Sequence, residues 1–84
     1  MDTIGMRLKL IRTECRLRQE DVLMLLQKKY DISLTQASFS RYENDKRDPD
    51  RALLKALSEI YGYPVMKLMF SENELKELTE KGLL

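Results

Sequence analysis

The stretch from Leu34 to Asp45 places the tightest limit on how this chain folds. Its start carries helix-capping chemistry: Ser33 with Gln36 forms a capping box, and Thr35 is an equally good cap two residues on. Its end, Glu43-Asn44-Asp45-Lys46, is a stop signal. Between them only Phe39 and Tyr42 are large and apolar, and at a spacing of three they share one face. A helix this polar forms no core by itself, so other helices must seat it through those two rings. Gln36, Ala37, Ser40 and Arg41 then fall elsewhere on the wheel, free to meet a partner.

The remaining chain supplies such helices. Ile4, Leu8, Ile11 and Cys15 recur at helical spacing, which predicts a first helix from about Ile4 to Cys15 capped by Asp2 or Thr3. A second helix starts at Arg18 or Gln19, with Glu20 and Asp21 complementing its positive end, and runs to Lys29 or Tyr30. Val22, Leu23, Leu26 and Tyr30 form its inner face. After the polar loop Asn44 to Asp48, the order Asp48, Pro49, Asp50 reads as cap, first helical position and acidic first turn of a fourth helix. Its stripe is Leu54, Leu57, Ser58 and Tyr61, and Gly62 closes it. Pro64 opens a short fifth helix with Val65, Leu68, Met69 and Phe70 apolar. Ser71 and Glu74 form a capping box for a last amphipathic helix over Glu72 to Lys81, stopped by Gly82. The expected fold is all-α, five helices and a short extra C-terminal one.

Chemistry is excluded more firmly than it is indicated. The chain has no histidine, its one cysteine (Cys15) reads as a small core residue, and its three glycines form no phosphate loop. No carboxylate cluster has metal-ligand spacing, so neither catalytic residues nor a metal or cofactor is expected. The longest apolar run, Val22 to Leu26, is far too short to span a membrane, and the expected compartment is the cytoplasm. Net charge is only +1, but residues 1–70 carry 13 basic and 10 acidic side chains while residues 71–84 carry 2 and 4. A mildly basic body with an acidic tail fits a protein that meets phosphate with one face.

Three motifs stand in order along residues 4 to 70: Ile4-Gly5-x-Arg7-Leu8-Lys9-x-Ile11-Arg12, Leu17-x-Gln19-Glu20-Asp21-Val22, and Gln36-x-Ser38-Phe39-Ser40-Arg41-Tyr42-Glu43-Asn44-x-Lys46-Arg47-x-Pro49. Together with Leu54, Leu57 and Gly62 they resemble the helix-turn-helix domains of the Cro, lambda-repressor and Xre type. The resemblance implies a DNA-binding unit over residues 1–70 with 71–84 as a tail of the same domain. It implies that Gln36, Ala37 and Arg41 face bases, and that Ser38 and Ser40 stand at the groove edge. Gln19 would bind a phosphate, Thr35 would cap the recognition helix, and Asn44, Lys46 and Arg47 would grip the backbone. Arg12 and Glu43 match a partly buried ion pair. Arg16 and Asp45 stand where the family often has glycine. The segment Gln27 to Ser33 is longer than the family's tight turn, so an extended second helix and a looser turn are expected.

The reading that follows is a sequence-specific regulator of transcription, a repressor acting as a homodimer on double-stranded DNA, with no small-molecule substrate. The rival is a protein-interaction module on the same fold, an antitoxin or anti-repressor. Low net charge and the lengthened turn favour the rival.

Overall fold

In the computed structural model, which describes residues 2–84, six helices follow one another: α1 Ile4–Glu14, α2 Gln19–Tyr30, α3 Gln36–Glu43, α4 Arg51–Tyr61, α5 Val65–Met69 and α6 Glu72–Glu80. The fold is all-α. Five of the helices each give at least one side chain to the centre. Leu8, Val22, Leu26, Phe39, Leu57 and Leu68 are each under 2% exposed. Burying a side chain of this size stabilises by roughly 1.5–3 kcal/mol, so these six outweigh any single polar contact in the chain. α1 and α2 cradle α3, α4 packs on α2 and α5, and α5 closes against α1. α6 rests on α5 and buries no residue.

Local chemistry explains most boundaries. The Thr3 hydroxyl caps α1 by accepting from the Met6 amide at 3.2 Å. Asp21 accepts from the Arg18 amide at 2.8 Å to start α2. Thr35, not Ser33, caps α3, accepting from the Ser38 amide at 3.1 Å. One boundary differs from the sequence expectation. Asp50 rather than Asp48 caps α4, its Oδ1 accepting from the Leu53 amide at 2.8 Å. Asp48 is exposed and precedes the helix, while the Pro49 ring is buried instead of opening the first turn. The sequence offered two aspartates at this start, and only Asp50 turns its oxygen onto a free helical amide.

All the helices but α5 are followed by a left-handed residue, two of them where glycine is usual. Arg16 has φ 59° and Asp45 has φ 60°. After α1, the Leu17 amide reaches the Arg12 carbonyl, and after α3 the Lys46 amide reaches the Arg41 carbonyl. Both are the six-residue closure that satisfies the last carbonyls of a helix. Asp31 (φ 55°) ends α2, and the five non-helical residues 31–35 separate α2 from α3, the extended helix and looser turn expected from the sequence.

Two cations of α1, Arg7 and Arg12, are engaged within the fold. Arg7 donates to the Leu68 and Met69 carbonyls at 3.2 and 2.6 Å and to Asp2 at 2.9 Å, which clamps α1 to the end of α5. Arg12 turns inward to Glu43. The α1 contribution to a basic surface is correspondingly thinner than the charge count suggests.

Asp45 ties the loop after α3 back to the start of α1, accepting from the Thr3 hydroxyl and, at 2.9 Å, from the Gly5 amide. These donors, the Thr3 hydroxyl foremost, hold its carboxyl below the ordinary value of 3.8. A carboxyl depressed in the folded state stabilises above its unfolded pKa and loses that contribution as pH falls through the folded one. Asp45→Asn keeps an acceptor oxygen but removes the charge. The variant should melt below the wild type at neutral pH, and the gap should close as the pH falls below about 4. Thermal melts from pH 7 to pH 2 read this directly, and a gap that stays constant would show that the charge contributes nothing.

Candidate nucleic-acid interface

At roughly 100° per residue, Gln36, Ser40, Asn44, Ala37 and Arg41 occupy an arc of about 140° on α3. Phe39 and Tyr42 point the other way, Glu43 lies beside Gln36 at the edge of the arc, and all three are buried. Gln36, Ala37, Arg41 and Asn44 are exposed, and Ser38 and Ser40 half-buried. The gripping stripe and the free stripe therefore coexist on eight residues.

The buried side of α3 carries a charge. Arg12 donates from Nε to Glu43 Oε2 at 2.7 Å and from Nη2 to Glu43 Oε1 at 3.0 Å, a two-pronged pair whose side chains are 9% and 2% exposed. Its remaining Nη1 donates to the Leu17 carbonyl at 2.8 Å, on the turn between α1 and α2. The Glu43 hydrogen bond lifts the guanidinium above its already high ordinary value. The buried phenol of Tyr61 feels the same pair, and its hydroxyl has no hydrogen-bond partner among the described residues. Burial, above all, pushes that phenol far up, so it stays neutral.

From Glu43 the network runs outward. Gln19, half-buried at the first position of α2, donates from Nε2 to Glu43 Oε1 at 2.9 Å. Its Oε1 accepts from Gln36 Nε2 at 3.3 Å and from Ser40 Oγ at 3.2 Å. The fold thus brings Arg12, Gln19, Gln36, Ser40 and Glu43 into one polar chain linking α1, α2 and α3. The Ser40 hydroxyl faces inward to Gln19 rather than standing free. Thr35 is likewise occupied, donating its hydroxyl to Ser38 Oγ at 3.0 Å while it caps the helix.

Ala37 and Arg41 stand outside this chain, and no ion pair among the described residues holds Arg41. Asn44, Lys46 and Arg47 follow on the exposed loop. The Arg47 guanidinium lies 5.6 Å from the centroid of the Tyr42 ring, a cation–π contact that restrains a long side chain without using its donors. The arrangement offers an exposed amide and a free guanidinium on one helix face and two loop cations beside it. Such groups suit planar hydrogen-bonding edges and anionic oxygens. Among the described residues no group of side chains could hold a metal ion.

Sequence reasoning did not assign Gly5 and Asp45 to this region. Gly5 is where α1 meets the end of α3, and Asp45 bonds to its amide. The placement of Gly5 in the first motif was the available signal, but its meaning lies forty residues away.

The helix-turn-helix domain family matches residues 3–66 of the chain. No curated protein and no solved structure matches it. No helix among the described residues is long and apolar enough to cross a membrane.

Proposed function

The chain belongs to the helix-turn-helix domain family, and from that membership we propose that it is a sequence-specific DNA-binding regulator of transcription, a repressor working in the cytoplasm without enzymatic activity or cofactor. The observation that carries this reading is the free arc of α3. Gln36 and Arg41 have the donors and acceptors that pair with adenine and guanine edges in the major groove, and Ala37 offers a methyl group to thymine. Ser40 and Asn44 lie within that arc, Gln19, Thr35 and Ser38 border it, and Lys46 and Arg47 supply charge for phosphate. Residues 1–70 form the DNA-binding unit, and 71–84 its tail.

One such domain spans too few base pairs for useful specificity, so the working form is a homodimer on half-sites about one helical turn apart. α5 and α6 are the proposed contact between copies. Met69 is 38% exposed, and α6 leaves Leu75 and Leu78 only half-buried. A protein-interaction module is the second reading, favoured by the net charge of only +1 and by the internal use of Arg7 and Arg12.

Operator selection from random duplexes, followed by titration at several salt concentrations, separates the two. A specific regulator retains its site against excess random DNA and weakens steeply with salt. Gln36→Ala combined with Arg41→Ala should relax sequence preference at two positions, by about 1–3 kcal/mol for each lost contact. Lys46→Ala should weaken all sequences alike and flatten the salt slope by about one. Equal, weak binding to every duplex would favour the interaction module.

A further inference from the structure

We infer that Glu43 is a positioning residue for base choice: through Gln19 it fixes which end of the Gln36 amide faces outward, and so selects adenine over guanine. The inference rests on the reading of Gln36 as a base contact.

A carboxylate only accepts hydrogen bonds, so the Gln19 group that meets Glu43 Oε1 at 2.9 Å has to be its Nε2. That orientation leaves Gln19 Oε1 turned towards α3, where it accepts from Ser40 Oγ and from Gln36 Nε2. Gln36 in turn has one Nε2 hydrogen engaged. It presents outward its Oε1 and the second Nε2 hydrogen, one acceptor beside one donor. Adenine shows the complementary pair, the N6 donor and the N7 acceptor. Guanine shows two acceptors, O6 and N7, and meets the acceptor Oε1 of Gln36 with O6.

Reversing the chain inverts the choice. With Glu43→Gln, the new amide oxygen at the Oε2 position keeps the Arg12 Nε donor, and its NH2 group takes the Oε1 position facing Gln19, where Arg12 Nη2 gives up its bond. Gln19 then turns its own oxygen inward and its Nε2 towards Gln36. Gln36 gives up its oxygen to that donor and presents two N–H groups, the pattern that fits guanine. Glu43 lies on the buried face of α3 and is only 3% exposed. It acts on the base entirely through two glutamine side chains.

The test is a set of duplexes differing only at one base pair, the one whose preference is erased by Gln36→Ala. Wild type should prefer adenine there. Glu43→Gln should lower the adenine-to-guanine affinity ratio by about fivefold or more, with other positions unchanged. Gln19→Met leaves the Arg12–Glu43 pair in place and frees the Gln36 amide to rotate. It should bring that ratio towards one while affinity falls evenly elsewhere, and it decides the matter if Glu43→Gln does not fold. A preference for any base other than adenine at that position, or an unchanged ratio in the variants that fold, overturns the relay and leaves the DNA-binding reading standing. If Gln36→Ala erases no preference, the assignment of α3 falls and the relay with it.

Discussion

Glu43→Ala should cost about 3–5 kcal/mol of folding free energy, the range for breaking a buried ion pair by removing one partner. The loss comes less from the missing attraction than from what remains. Arg12 keeps a charge that is nearly shielded from water, with only the Leu17 carbonyl still accepting from it. Gln19 also loses its acceptor at the same point. A chain of 84 residues has a total stability of roughly 4–13 kcal/mol, so this one change removes a large part of it. Urea denaturation followed by helical circular dichroism measures the shift. Replacing both partners together, Arg12→Met with Glu43→Leu, leaves no charge behind and should fall within about 1 kcal/mol of wild type. That contrast separates two roles of the pair. The double variant should fold yet lose any influence of Glu43 on Gln19. If Glu43→Ala costs less than about 1 kcal/mol, Arg12 has found water or another acceptor, and the pair is not the brace the geometry describes.

The contrast also shows what the sequence could and could not express. The helices were legible because their signals are local. A cap and its free amide lie three residues apart, and a buried stripe repeats within one helix. The outward arc of α3 was legible for the same reason, since it follows from the turn per residue alone. Asp48 was a misleading cap because its spacing from Pro49 suited a helix start. The buried ring of Pro49 and the oxygen of Asp50 decide that boundary, and neither is visible in a string of letters. Arg7 shows the larger gap. It counts as one more surface cation in the sequence, yet it binds carbonyls sixty-one and sixty-two residues away. The polar chain through Gln19 depends on how α1, α2 and α3 are set against one another. Residue types can suggest its members but not the direction in which its amides point.

Gly5 is the sharpest case of a residue whose reason lies across the fold, and Gly5→Ala should be the most damaging single-methyl addition in the chain. A Cβ at Gly5 would stand 2.7 Å from Asp45 Oδ1, from the Glu43 carbonyl and from the Tyr42 carbonyl. The Asp45 side chain could swing aside, at the loss of its bond to the Gly5 amide. The two carbonyls are backbone at the end of α3 and cannot. α1 would have to withdraw from α3, loosening the same contact that aligns Arg12 with Glu43. Overpacking of this kind costs about 3 kcal/mol, at the upper end of the usual range. Alanine's better helix propensity offsets up to about 1 kcal/mol of that. The net loss of about 2 kcal/mol corresponds to a fall in Tm of roughly 8–16 °C in a domain this small. Gly62→Ala is the control. Its φ of +73° is unfavourable for alanine, but a Cβ there meets nothing within 4 Å. Its cost should therefore be only the backbone strain, about 1–2 kcal/mol, with helix packing undisturbed. The two variants differ more clearly in function than in Tm. Withdrawal of α1 disturbs the brace behind α3, so Gly5→Ala should weaken DNA binding even at temperatures where it remains folded, whereas Gly62→Ala should not. Equal binding by both folded variants would mean that α3 holds its position without close support from α1.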